Sequence, residues 1–583
     1  MATGNHKKAM GAEEVTAFGG LDASSPHGDG GIACNMKNFK VLSDGSLVKR
    51  DGFAILATLG ADVRAVHVLH EAEGDFILAV AGAWLYRISV ADGGFESAEV
   101  LTTVSGRACF FDYGGELYLM DGAEVYRWAG GVSLAECLGY IPLYGANWDP
   151  YSNVHPINEP INLFSKKIRV HYLVEQSLET FTLNVGVGIA SVDKVLSDGV
   201  ATTDYTVPAT NAYIRFTSPA YRGEVEICMT LEDSYWHDAA IRSCARFAKY
   251  DSFSGSRIFL YGGEEGGLLY ASLPVSEASL AAAQVCDGNA TALYFPKASA
   301  ASFDNGQNIT AVGRVGDRMM ICTADGAWVT GTMSEHGGDT ADKLPVVPLS
   351  QTVGCRAAGG IALMEGDAPV TLSAGGIYRW DIDPTMERGC TVERISDGMA
   401  AHVDDGFFRG ADVCYVRAED ELWFYLPGDE EGRVFIYNCG SKLWYSYVGI
   451  QASRLFDVGG RVGFAGGAEI CLFDAARTTD LCSFGEREIV GVFESRRMDF
   501  GDSEAKKRAV RVYAEADAAG GELTVGLYDG GLLDEITFAD TGEGAACYCS
   551  RVNTCRFRRL SVTLRAAGAG RQRVYGFCVH IGM

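Results

Sequence analysis

Between residues 412 and 448 hydrophobic and polar side chains alternate in four short runs, each closed by a turn-forming cluster. The pattern predicts strands over 412–417, 421–426, 433–438 and 443–448, with Pro427-Gly428-Asp429 and Cys439-Gly440-Ser441 among the turns. Side chains alternate along a strand, so Leu422, Phe424 and Leu426 face one way while Trp423 and Tyr425 face the other. Both faces are apolar. An antiparallel sheet with a wet face does not need that, whereas a meander covered on both sides by similar meanders does. Radially stacked blades of a β-propeller meet the requirement.

A degenerate phrase, Gly followed by one to three residues and an apolar run ending in most copies on an aromatic, starts at Gly82, Gly122, Gly266, Gly326, Gly375, Gly432 and Gly467. Apart from one of 144, the intervals run from 35 to 60 residues, bracketing the roughly 40 to 50 of a four-stranded blade. The long interval from Gly122 to Gly266 holds one blade and roughly a hundred residues more, and the chain changes character there, with a Pro/Asn-rich passage up to Pro160. Residues 146–242 are therefore expected to form a small inserted β domain. A polar arm over 1–14 precedes the first part of the propeller, 15–145, whose Asp44-Gly45 marks a hairpin. The arm is expected to order on assembly. The remaining blades occupy 243–477, and alternation over 478–583 predicts a C-terminal β-sandwich. The expected fold is all-β, with a propeller of about six blades.

Charge narrows the function. Lys and Arg total 49 against 75 Asp and Glu, a formal net charge of −26, which disfavours indiscriminate binding to phosphate backbones or anionic lipid. The chain start lacks the apolar core of a secretion signal, and no window approaches a membrane span. The 17 cysteines are scattered, with no C-x-x-C spacing. Cys322, Cys414 and Cys471 read as small buried hydrophobes, and unpaired thiols in this number point to folding in a reducing cytoplasm. Cys547 and Cys549 share a strand face, a spacing that suits packing or a metal or redox pair.

Enzymatic signatures are sparse. The chain has no G-x-S-x-G, no P-loop and no H-E-x-x-H. His67 and His70 fall on opposite faces of a strand. Asp381 and Asp383, with Asp404 and Asp405, are the carboxylates available for glycoside cleavage. Thr323-Ala-Asp325-Gly-Ala-Trp328 reads as an Asp-Gly hairpin. Trp328, Trp380, Trp423 and Trp444 suit blade-core packing or sugar stacking. Arg551, Arg556, Arg558, Arg559 and Arg565 make a local basic run on an ordinary solvated face. No catalytic, cofactor-binding or metal residue is assigned, and a non-enzymatic role is expected.

Several short motifs recur in a familiar order. Asn35-Met-Lys-Asn38, Gly45-Ser-Leu47, Lys49-Arg50 and Gly52-Phe53 open the chain, with Asp51 between the last two pairs. Arg257-Ile-Phe259, Tyr294-Phe295-Pro296, Ser373 to Tyr378 and Val434 to Trp444 follow, then Glu494-Ser-Arg-Arg-Met-Asp-Phe500-Gly501 with Lys506-Lys507. In that order they resemble the propeller-bearing virion proteins of tailed bacteriophages, the tail nozzle (tubular protein B) of short-tailed phages and the packaged-DNA stabilisation proteins; those proteins carry proline where Asp51 stands. The resemblance implies a structural virion protein: a homo-oligomeric ring, hexameric in the nozzle case, joined to a tail adaptor and other tail proteins. Genomic DNA would pass through it without sequence-specific binding, and it would be assembled in the bacterial host cytoplasm. The alternatives are a distal-tail or baseplate component of a long-tailed phage, and a glycan-binding or glycan-cleaving propeller.

Overall fold

The computed structural model describes residues 10–152, 155–217, 221–235, 239–252, 255–302, 307–316, 318–330, 346–364, 368–382, 390–542 and 544–582. Strands dominate and helices are few and short. The chain divides into two compact units, one of residues 1–82, 86–95 and 352–583, the other of 83–85 and 96–351. The described residues contain seven blade-type four-stranded meanders, one more than the about six expected. All seven copies of the Gly phrase enter the third strand of a meander, for example Val125–Trp128, Gly376–Ile382 and Val434–Asn438. Five of these glycines, including Gly82 (φ 54°), Gly375 (φ 76°) and Gly432 (φ 59°), take the left-handed conformation that a tight strand-to-strand turn needs.

In the first unit the predicted meander is present with its expected register. Asp412–Val416, Glu421–Tyr425, Val434–Asn438 and Leu443–Tyr447 pair in order, and Asp420 takes the left-handed turn position at φ 51°. All of Glu421–Tyr425 is buried, on both faces. The last meander takes its fourth strand from far away, within a six-stranded sheet that Thr479–Cys482 and Gly485–Glu488 extend beyond it. Arg454–Val458, Arg461–Gly466 and Glu469–Asp474 are completed by Gly52–Thr58, which pairs with Glu469–Asp474. Its fourth strand thus lies near the start of the chain.

The N-terminal stretch corrects the expected boundary. Residues 15–49, expected in the propeller, belong to the C-terminal sandwich. Ala33–Lys37 is an edge strand on Gly491–Ser495, while Phe39–Val41 and Leu47–Lys49 form a hairpin beside Arg573–Gly582. Met10–Val15, part of the arm expected to order only on assembly, also pairs along Arg573–Gly582. Residues 1–9 of that arm lie outside the described residues. The sandwich and the blades of this unit share one core, in which Met36, Phe39, Trp444, Phe493 and Phe577 are buried together.

In the second unit three meanders, over 109–136, 246–302 and 311–350, accompany the inserted sheets. A five-stranded sheet of Leu143–Trp148, Lys167–Leu178, Tyr221–Leu231, Ile189–Ser197 and Val200–Thr202 is joined by a three-stranded one of Thr180–Thr182, Tyr213–Phe216 and Tyr205–Thr206. They share a core of their own, strung along the edge-to-face contacts Trp148–Tyr172, Tyr172–Phe181 and Phe181–Phe216. Helix Glu277–Cys286 stands between the third and fourth strands of the 246–302 meander and is capped by Ser276, whose side chain accepts from Ser279 N.

Candidate functional site

The residues that carry the opening motif build a joint. Arg50 is 3% exposed and grips Asp480 through two 2.8 Å bonds, Nη1 to Oδ1 and Nη2 to Oδ2. Its Nε donates to Asn38 Oδ1 at 2.9 Å, and that oxygen also accepts from Val448 N at 2.9 Å. Asn38 holds its place with a left-handed backbone (φ 56°) and donates Nδ2 to Val490 O at 3.0 Å. One buried guanidinium thus ties the N-terminal hairpin, the end of a blade and the lead-in to the sandwich. The bidentate geometry is the strong form of such a pair.

Neighbouring motif residues extend the joint. Gly52 runs so close to Thr479 that a Cβ would overlap its carbonyl oxygen, a close approach reserved to glycine. Lys49 is buried, donates Nζ to Gly568 O at 2.7 Å, and has its pKa pushed down to about 8, chiefly by burial. Lys40 reaches the buried Glu421 at 3.0 Å, and Glu421 also accepts from Trp423 Nε1 at 3.0 Å and from Tyr445 OH. In the terminal motif Arg496 donates to Asp22 O and pairs with Asp22 Oδ2 at 2.7 Å. Lys507, fully buried, donates to the carbonyls of Asp502 and Ala505.

The second unit has a cleft of about 760 Å³ where the insertion's two chain crossings meet the blades. Its basic residues are paired, and Glu136 and Glu264 line it as well. Lys167 Nζ lies 2.9 Å from Asp287 and 3.6 Å from Asp193, Arg242 lies 3.1 Å from Glu124, and Lys166 lies 2.8 Å from Asp233. Burial opposes the Lys167 charge, but the two carboxylates outweigh it and raise its pKa. The Arg242 guanidinium also stands 5.4 Å from the Phe164 ring centre. Cys137, in the same lining, is held protonated by burial, its pKa pushed up to about 12, which makes it a poor nucleophile.

The remaining candidates disperse. Trp380, Trp423 and Trp444 are buried and donate their indole N–H groups to Thr371 Oγ1, Glu421 Oε2 and Ile395 O, so they pack blades instead of presenting flat faces. Trp328 is half-buried. Asp404 caps helix Asp405–Gly410 by accepting from Phe407 N, Asp405 pairs with Arg356 and Arg409, and Asp381 pairs with Arg379; Asp383 lies outside the described residues. His70 pairs with Asp75, and His67 stands on the same strand, Val63–Glu71, opposite Leu78. Arg551 lies on the exposed side of Ala545–Arg551 in one sheet of the sandwich and Arg565 on the exposed side of Ser561–Gly568 in the other, so the five arginines do not share a sheet face. Cys322 and Cys471 are buried and Cys414 is half-buried, while Cys547 and Cys549, which packing would bury, are exposed.

The chain is also not disulfide-free. Cys228 and Cys286 are bonded across 58 residues, against the expectation of unpaired thiols throughout. A signal for this was present in Tyr221–Leu231. Val225, Ile227, Met229 and Leu231 face the core, so Cys228 falls on the face of Glu226 and Thr230, where a mere hydrophobe has no reason to sit.

No protein-family model matches the chain, and no curated protein matches it. Among solved structures it is similar to the WD40 domain of SCAP from fission yeast, at 10% identity over 81% of this chain and 96% of that one, TM-score 0.27. It is similar to the Pan2 WD40 domain of Neurospora crassa, at 8% identity over 73% and 96%, TM-score 0.31. An exo-beta-1,3-galactanase from Phanerochaete chrysosporium matches at 9% identity over 57% and 95%, TM-score 0.23. Scores of this size leave the β-propeller architecture to be read from the meanders themselves.

Proposed function

We propose that this chain is a structural subunit of a tailed-bacteriophage virion, a nozzle-type tail protein. Its copies form a ring that joins a tail adaptor to more distal tail parts, conducts the genome and retains it until ejection. One observation carries the reading: four polar residues on which the resemblance rests, Asn38, Lys49, Arg50 and Arg496, are buried in the joints that hold N-terminal strands, blades and sandwich together. Buried ties of this kind suit a scaffold built to carry load. The acidic balance of the chain supports passage of DNA without capture.

Electron microscopy of the purified full-length protein tests the proposal. Rings with six-fold symmetry are the expected result. A field of single molecules that release reducing sugar from host polysaccharide, with the release abolished by substituting a carboxylate such as Glu136 of the cleft, would replace it with a glycan-cleaving role.

A further inference from the structure

Helix Glu277–Cys286 ends against the outer face of the inserted five-stranded sheet. Glu226 and Cys228 are two residues apart on one strand and share that face. Cys286 reaches them from the helix end, its Sγ 3.8 Å from Glu226 Oε1. The donor atoms of Glu226, Cys228 and Cys286 all lie within 4.8 Å of one another, the one such three-donor group among the described residues.

We propose that this trio, once its disulfide is reduced, is a binding site for a zinc-class divalent cation. The disulfide-bonded and metal-loaded forms are then alternative states of the same three side chains. Two thiolates at about 2.3 Å and one carboxylate oxygen at about 2.0–2.2 Å supply three of four tetrahedral positions, leaving the fourth to water. On such an ion the sulfurs sit roughly 3.8 Å apart, a separation that side-chain rotation gives once the S–S bond is open. Charge also fits. Two thiolates and a carboxylate around a divalent cation leave one net negative charge, and Arg169 Nη1 stands 3.4 Å from Glu226 to balance it. Lys194, opposite Cys228 in the sheet, donates to Val285 O at 2.6 Å and so keeps the helix end against the site without the disulfide. Glu226 and Cys286 are half-buried, which leaves an entry path, while Cys228 is buried.

The reductant is a low-molecular-weight thiol. Its thiolate attacks Cys286 Sγ, the more exposed sulfur, breaking the S–S bond, forming a mixed disulfide on Cys286 and releasing Cys228 as thiolate. A second thiolate attacks the outer sulfur of that mixed disulfide and leaves with it as the small-molecule disulfide, freeing the Cys286 thiolate. Two small thiols are oxidised and one protein disulfide is reduced.

The test uses full-length protein carrying Cys547→Ser, Cys549→Ser and Cys555→Ser, which removes the exposed thiols. The protein is reduced with a phosphine, desalted without oxygen and titrated with Co²⁺ and then Zn²⁺. One Co²⁺ per chain is expected, with a thiolate-to-cobalt charge-transfer band that Zn²⁺ discharges and that the oxidised protein lacks. Cys286→Ser should abolish the band. Glu226→Gln keeps the disulfide for folding, and after reduction should bind Zn²⁺ at least about tenfold more weakly against a chromophoric chelator. No metal bound by the reduced, folded protein, a band that survives Cys286→Ser, or an affinity unmoved by Glu226→Gln would each overturn the proposal. None of these readouts depends on ring formation.

Discussion

At the scale of single residues, the joint around Arg50 makes sharp forecasts. Arg50 and Asp480 are both about 1% exposed at the side chain, so removing Arg50 leaves the buried carboxylate with the half-exposed Arg487, 2.8 Å away, as its remaining cation. Arg50→Met should cost about 3–5 kcal/mol in denaturant unfolding. The double variant with Asp480→Leu should recover much of that, because it removes the stranded charge as well. Arg50 stands out in the sequence as a motif residue, but its partner is 430 positions away, and no spacing rule reaches that far. Lys49 gives a pH signature. Its folded pKa, about 8 and lowered chiefly by burial, lies below the roughly 10.4 of an unfolded lysine. Between those values the unfolded chain binds the extra proton, so this side chain makes stability rise with pH across that window, and below about pH 8 its burial penalty is fully present. Lys49→Met should flatten the rise when unfolding midpoints are compared across it.

At the scale of elements, the disulfide closes a loop of 58 residues between strand Tyr221–Leu231 and helix Glu277–Cys286. Chain-entropy arguments assign such a loop about 4 kcal/mol. Reduction, or Cys286→Ser, should therefore lower the unfolding midpoint of the second unit, read by calorimetry with and without reductant. Meanders were legible in the chain because their pairings are local, with turns that name themselves in Gly and Asp, and the inserted sheets because they interrupt the spacing of the Gly phrase. The N-terminal strands were not. Ala33–Lys37 alternates like any strand, and its partner, Gly491–Ser495, lies some 460 residues on, so period alone assigned it to the neighbouring blades. The last meander is marked in the sequence by its Gly467 phrase, but the same non-local closure hid its fourth strand, Gly52–Thr58. The carboxylates and tryptophans weighed as site residues were visible by type, but only the fold shows that Asp404 caps a helix and that Trp423 is spent on packing.

At the scale of the whole molecule, charge bears on the proposed ring. Each chain carries a formal −26, so bringing several into a ring raises their mutual repulsion. Screening reaches about 30 Å at 0.01 M salt and about 8 Å at 0.15 M. If apolar contacts hold the ring, assembly must strengthen as salt rises over that range, because repulsion between like-charged bodies is the term being screened. Sedimentation velocity on the purified protein at the two salt concentrations should show the larger species gaining at the higher one. Dissociation with added salt would mean that complementary ion pairs carry the contacts. If the proposed ring conducts a genome, the same acidity sets a companion expectation: a short DNA duplex should migrate unretarded with the protein at about 0.15 M salt, because a net negative chain offers little counterion release to drive binding. A retained duplex whose affinity falls steeply with salt would place a basic surface in the channel and would make the protein a binder of its cargo instead of a conduit for it.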